Sequence, residues 1–277
     1  LIKEEHYLPA FYEACAAQLA EVQAILDTPG GATFENTIVA LEKSGQYLGR
    51  VLRVFYNKSS SDTNDALNAI EEELAPKFAA HQDAISLNPV LFKRIKDLYD
   101  ARESLGLNTE DAWLLERYYK DLIHKGAHLT EAQRDRLKEL NEELSSLQTQ
   151  FSKNVLADTN DLAVLVDSVE ELDGLSENQI AAAAAAAKDR GHDGKWLIGM
   201  VNFTGNPVLD SLTNRPLRKK IMEASLLKAN RDNDNDNKQV LLKMVKLRAE
   251  RAKLFGSETH AEHVIAVQTA EHPDNVH

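Results

Sequence analysis

The sequence predicts a mainly α fold: a multi-helix lobe with long antiparallel helices and a small β insertion. Three observations carry this. Gly 12 and Pro 7 are few for 277 residues, which favours long regular elements over many short strands and turns. Helix start and stop signals recur from end to end. One segment, 130–157, repeats apolar residues at steps of three and four.

The elements follow in order. A first helix is expected from near Pro9 to Leu26, stopped by the breaker Thr28-Pro29-Gly30-Gly31. A second starts near Thr33 and carries Phe34, Ile38, Leu41 and Leu48 at helical spacing. Asn88-Pro89 supplies a cap and a proline at the first helical position, where its missing N–H costs nothing. Leu91, Ile95 and Leu98 then share a face. Asn108 or Thr109 caps the next helix, which holds Trp113, Leu114 and Tyr118. Thr130 with Gln133 forms a capping box, and Leu137, Leu140, Leu144, Leu147, Phe151 and Val155 make a stripe that must pack against another helix.

Beyond that helix the pattern changes. Residues 162–166 are short, apolar and β-branched, and Trp196-Leu197-Ile198 reads as a second strand. Between them Ser176 and Gln179 form a capping box before the alanine run 181–187. Alanine has the highest helix propensity, so this run is expected to be a helix lying close to its neighbours. Helix returns from Pro216, and the polar run Asp232 to Asn237 breaks it before Val240. Two regions result, 1–157 and 158–277, the second holding the β element.

Composition narrows the function classes. Lys+Arg 32 against Asp+Glu 44 gives a net charge of -12, which opposes binding to phosphate backbones and to anionic membrane surfaces. Nucleic acid and membrane are therefore not expected as partners. Cys15 is the single cysteine, so no intrachain disulfide forms, which fits a reducing, cytoplasmic setting. No apolar run approaches the roughly 18 residues of a membrane span. The start, Leu1-Ile2-Lys3-Glu4-Glu5-His6, does not read as a signal peptide.

Nine histidines make a metal site worth testing. The zincin motif H-E-x-x-H holds two imidazoles one helical turn apart with a glutamate to activate water, and the sequence does not contain it. His260-Ala261-Glu262-His263 has three-residue spacing and a misplaced glutamate; with or without His272, it reads better as an exposed helical histidine pair. His124 and His128 are four apart, with Gly126 between them where a helix should end. Asp232 to Asn237 resembles the start of a calcium loop, but Asn237 and Lys243 stand where glycine and glutamate are required. It reads as a solvated turn that caps the following helix. Cys15, flanked by alanines, reads as a small core residue. No G-x-S-x-G elbow, P-loop or G-x-G-x-x-G is present. No catalytic, cofactor-binding or metal residue is assigned.

Longer stretches carry a resemblance. They are Phe34-Glu35-Asn36-Thr37-Ile38-Val39-Ala40-Leu41-Glu42, then Glu116-Arg117-Tyr118-Tyr119 with Gly126-Ala127 and Leu129, and Leu140-Asn141 with Thr149-Gln150-Phe151 and Asn154. Next come Gly194-Lys195-Trp196-Leu197, Asn214-Arg215-Pro216-Leu217-Arg218, and Asn235-Asp236-Asn237 followed by Leu247-Arg248-Ala249-Glu250-Arg251-Ala252. In order and spacing they resemble the N-terminal portion of the thimet oligopeptidase, oligopeptidase A and peptidyl-dipeptidase family of zinc metallopeptidases. The segment Phe255 to His260 departs from the family's usual leucine-glycine turn.

The resemblance implies a zinc metallopeptidase parent acting on short peptides, with the zinc ligands in a downstream C-terminal catalytic portion. Both regions would then belong to one incomplete N-terminal lobe that helps enclose a substrate channel and is inactive alone. Release of C-terminal dipeptides is the expected activity. Endo-acting oligopeptidase and a non-enzymatic helical scaffold are the alternatives.

Overall fold

The computed structural model describes residues 2–202 and 205–276, and it is mainly helical. The chain divides into two compact units, Leu1–Thr149 with Met244–His277, and Gln150–Lys243.

In the first unit, α1 (Tyr7–Leu26) begins two residues before the Pro9 signal. Tyr7, Phe11 and Ala14 bury one face of it with Leu48, Phe55, Leu67 and Leu74. The next helix, α2, opens as a π-helical turn (Phe34–Val39) and continues as Ala40–Lys43. Thr33 and Asn36 cap it reciprocally, with Thr33 N–H on Asn36 Oδ1 at 2.8 Å and Asn36 N–H on Thr33 Oγ1 at 3.1 Å. The expected continuous helix through Leu48 is corrected here. Gly45 has φ +72°, and α3 (Gln46–Ser61) starts after it. A β-carbon there would be strained by that φ and would press on the Gln18 side-chain amide, so the chain turns where glycine is favoured.

Helix α4 (Asp65–Ser86) is capped by Asn64 and tolerates Pro76 inside it. Asn88 accepts from Val90 and Leu91 N–H to start α5 (Pro89–Asp100), and Asn108 rather than Thr109 caps α6 (Thr109–Lys125). Gly126, at φ +102°, closes α6. Helix α7 (Glu131–Asp161) starts at the Thr130–Gln133 box and outruns its expected end at 157. Leu137, Leu140, Leu144 and Leu147 are buried as the stripe requires; Phe151 and Val155 are only half-buried. The positions that complete the seven-residue face are Asn154 and Asp158, which are polar and buried.

The second unit holds the β element. Strand β1 (Val164–Val166) pairs antiparallel with β2 (Trp196–Ile198), Leu165 facing Leu197. The alanine run forms α8 (Glu177–Asp189), with Ala183 and Ala187 buried one turn apart. Its core joins Val164, Val166, Leu172, Ile198 and Met200 to Leu217 and Ile221 of α10 (Arg215–Leu226). The short α9 (Val208–Ser211) precedes α10. Helix α11 (Lys238–Leu254) spans the division between the units, and α12 (His260–Ile265) follows in the first. No described helix is long and apolar enough to cross a membrane.

Candidate functional site

The chemistry of the first unit gathers around a cavity of about 780 Å³. Helix α4 builds one wall. Leu67, Ile70 and Leu74 form its buried face, and the same spacing continues through Phe78 to His81. His81 therefore occupies an apolar position, is 7% exposed, and lies nearly parallel to the Phe78 ring at 6.5 Å. Its Nε2 meets Gln18 Oε1 at 2.7 Å. That oxygen can only accept, so Nε2 carries the hydrogen. Burial lowers the His81 pKa and favours the neutral ring. Nδ1 is then a buried acceptor, and it has no hydrogen-bond partner.

Asp83 borders the same cavity and is 8% exposed. Its two oxygens accept from Asn141 Nδ2 at 3.0 and 2.9 Å. Burial raises its pKa, against the opposing pull of that amide and of the Arg251 charge. Helix α11 contributes Arg248 and Arg251, which share a face at i, i+3. Burial lowers the Arg251 pKa while the Asp83 charge opposes the drop. Its Nε is buried without a hydrogen-bond partner, and no described carboxylate lies within ion-pair distance of the guanidinium. His260 of α12 also borders the cavity, with Nδ1 buried and unpartnered.

The expected exposed pair His260–His263 is corrected. His263 is 5% exposed and sits in an aromatic stack, 4.1 Å from His124 at 6° and 4.1 Å from Phe255 at 22°. Burial first, then the nearby His124, Arg251 and His260, pushes its pKa down to about 4. His128 leans on Phe255 at 6.5 Å, beyond the turn at Gly126. His272 caps the turn Pro273–Asn275 and lies 3.3 Å from Asp274. Tyr118 borders the cavity and donates to Glu42 at 2.6 Å; burial raises its pKa. Cys15 is half-buried beside the Phe11–Phe55 core, and burial pushes its thiol up to about 11.

His124 and His263 do not fit zinc as a pair. Nearly parallel rings send their in-plane lone pairs along parallel lines, which do not converge on an ion about 2.0–2.1 Å away. Among the described residues no group of three or more His, Cys, Asp or Glu is placed to hold a metal.

In the second unit, the Asp232–Asn237 run is not a merely solvated turn. Asn237 is buried, donating to Phe151 O at 3.0 Å and accepting from Asn154 Nδ2 at 2.8 Å. Asn233 and Asn235 both donate to Asp158 Oδ1 at 3.3 Å. Asp236 accepts from the N–H of Asp232 and Lys238, at 2.8 and 2.9 Å, and these donors hold its pKa down to about 2. Lys238 Nζ bridges Asp232 and Asp236 at 2.6 and 3.0 Å. Asp232 and Asp236 are thus engaged by the chain's own donors.

Sequence reasoning overlooked His81, Asp83 and Asn141. A signal for His81 was available: it continues the 67/70/74/78 face of a capped helix.

Residues 208–277 match the profile of Peptidase family M3. The dipeptidyl carboxypeptidase of Escherichia coli strain K12 is 37% identical over 99% of this chain and 40% of its own length. That of Salmonella typhimurium is 35% identical over 98% of the chain and 40% of its own length. The Salmonella typhimurium oligopeptidase A is 28% identical over 99% of the chain and 41% of its own length. The chain spans about 40% of the length of these curated relatives.

Proposed function

The chain belongs to peptidase family M3, and from that premise we propose that it is the N-terminal helical part of a peptidase releasing dipeptides from the C-terminus of short peptides. The observation that carries this is the nearly end-to-end similarity to two dipeptidyl carboxypeptidases, at 37% and 35% identity. In this reading the parent is a cytoplasmic zinc enzyme. Its zinc ligands are assigned to the remaining catalytic portion; in support, among the described residues no group of three or more His, Cys, Asp or Glu is placed to hold a metal. This chain then contributes wall to the substrate channel, and its regions 1–157 and 158–277 belong to one lobe. Alone it does not turn over peptide.

A second reading, an endo-acting oligopeptidase, is favoured by the 28% identity to oligopeptidase A over the same span. Product analysis separates them. The longer protein from the same reading frame is incubated with an unlabelled decapeptide, and the early products are identified by mass spectrometry. Stepwise loss of two residues from the C-terminus supports the first reading. Internal cuts that persist when the C-terminus is amidated support the second.

A further inference from the structure

The cavity of the first unit is bordered by cations that the chain does not neutralise. Lys125, Arg248 and Arg251 line it, and none of these side chains has a hydrogen bond or ion pair with a described residue. Acids outnumber bases 44 to 32 in this chain, and cations elsewhere are matched, Arg136 with Glu250 at 2.7 Å and Arg231 with Asp158 at 2.6 Å. Two carboxylates border the cavity as well, but each is engaged. Asp121 pairs with Arg117 at 3.2 Å, and Asp83 accepts from the Asn141 amide at 3.0 and 2.9 Å.

Arg251 is the residue that local pattern explains least. Met244 and Leu247 bury one face of α11, and Arg251 continues that face at the next step of four. An apolar side chain would satisfy the position, whereas a guanidinium taken out of water needs a partner. Its Nε is sealed, but its two terminal nitrogens are neither sealed nor bonded. Arg248, half-buried one turn back, leaves the helix within about 5–6 Å of it. The two charges repel each other, and both weigh on His260 at the same cavity. A monocarboxylate would match one guanidinium and leave the other bare. An oxyanion with two charges has acceptors and charge enough for both forks.

We propose that the Arg248–Arg251 side of this cavity binds a small dianionic oxyanion, of the phosphate or sulfate class. The ligand is not a peptide, so this inference and the peptidase reading stand or fall separately. The cavity, about 780 Å³, has room for the free ion or for a phosphate carrying a small organic group.

The test is titration calorimetry on the 277-residue chain with sulfate, inorganic phosphate and glycerol phosphate, at an ionic strength matched throughout with sodium chloride. The expected result is one saturable site per chain for a dianion, with acetate binding tenfold or more weakly. Tighter binding of glycerol phosphate than of inorganic phosphate assigns the site to a phosphate ester, and the reverse order to the free ion. Arg251→Leu completes the apolar face of α11, so it should fold with an unchanged or higher thermal midpoint while weakening binding tenfold or more. Arg248→Gln should weaken it as well. Lys253→Gln removes the same charge from the exposed surface of α11 and should leave binding unchanged. The proposal is overturned if no dianion saturates a site, or if acetate binds equally well. It is also overturned if binding survives either arginine substitution, or if Lys253→Gln weakens binding as much as they do. The comparison of anions is made on the unmutated chain and needs no variant to fold.

Discussion

Asp158, fully buried on α7, receives Arg231 through two bonds, Nη2 to Oδ1 at 2.6 Å and Nε to Oδ2 at 3.2 Å. The same carboxylate accepts the Ala229 N–H at 2.7 Å and the Asn233 and Asn235 amides. One side chain therefore gathers donors from Ala229 to Asn235 in the connection between α10 and α11. Breaking a buried pair by removing one member costs about 3–5 kcal/mol. Arg231 keeps some exposure, so Asp158→Ala is expected near the lower end, about 3 kcal/mol in urea unfolding. Amide exchange should accelerate first in residues 229–237. The Arg231 bonds, foremost, hold the Asp158 pKa down to about 2 from the usual 3.8. The unfolded chain takes up this proton first, so the stabilisation is complete above 3.8 and is lost as pH falls towards 2. An unchanged urea midpoint in Asp158→Ala would remove Asp158 from this role.

Leu140 is fully buried, while Phe151 on the same helix is half-buried. Leu140→Ala should cost about 2–5 kcal/mol, the transfer and cavity terms together. Phe151→Ala should cost less, despite the larger side chain removed. Thermal or denaturant midpoints measured side by side check the order.

His263 gives the fold an acid sensitivity of its own. Its folded pKa, about 4, lies below the usual 6.5. Between these values the unfolded state binds the proton and the folded state does not. Its contribution is complete above pH 6.5 and declines as pH falls from there through about 4. His263→Phe keeps an aromatic ring between His124 and Phe255 and removes the titration. The thermal midpoint of this variant should fall less between pH 7 and pH 5 than that of the unmutated chain. Parallel pH dependence in the two proteins would show that His263 does not titrate against folding.

Much of the fold was legible because local chemistry decided it. The Thr130–Gln133 and Ser176–Gln179 boxes and the Asn88 and Asn108 caps form at the residues where side chain and backbone meet within one turn. Strands at 164–166 and 196–198 followed from two short β-branched and aromatic runs, and the structure pairs them antiparallel. What spacing hid was decided by tertiary contact. Gly45 lies in an apolar pattern that reads as helix, and only its closeness to Gln18 and its positive φ show why the helix breaks. His263 sits in a polar-looking stretch and is buried by Phe255 and His124, which no local rule brings together. The cavity was legible least. His81 follows an apolar face, but Asp83, Asn141 and Arg251 come from three separate helices and meet only on folding.

The central claim is that this chain is a non-catalytic part of an M3 peptidase. The most direct measurement is cleavage of a quenched-fluorescent oligopeptide by the untagged 277-residue chain and by the longer protein, each dialysed against zinc with a weak chelator and analysed for bound metal. The account predicts zinc-dependent cleavage by the longer protein, with neither cleavage nor stoichiometric zinc in the chain alone. One tightly held zinc per chain, or chelator-sensitive cleavage by the chain alone, would contradict it.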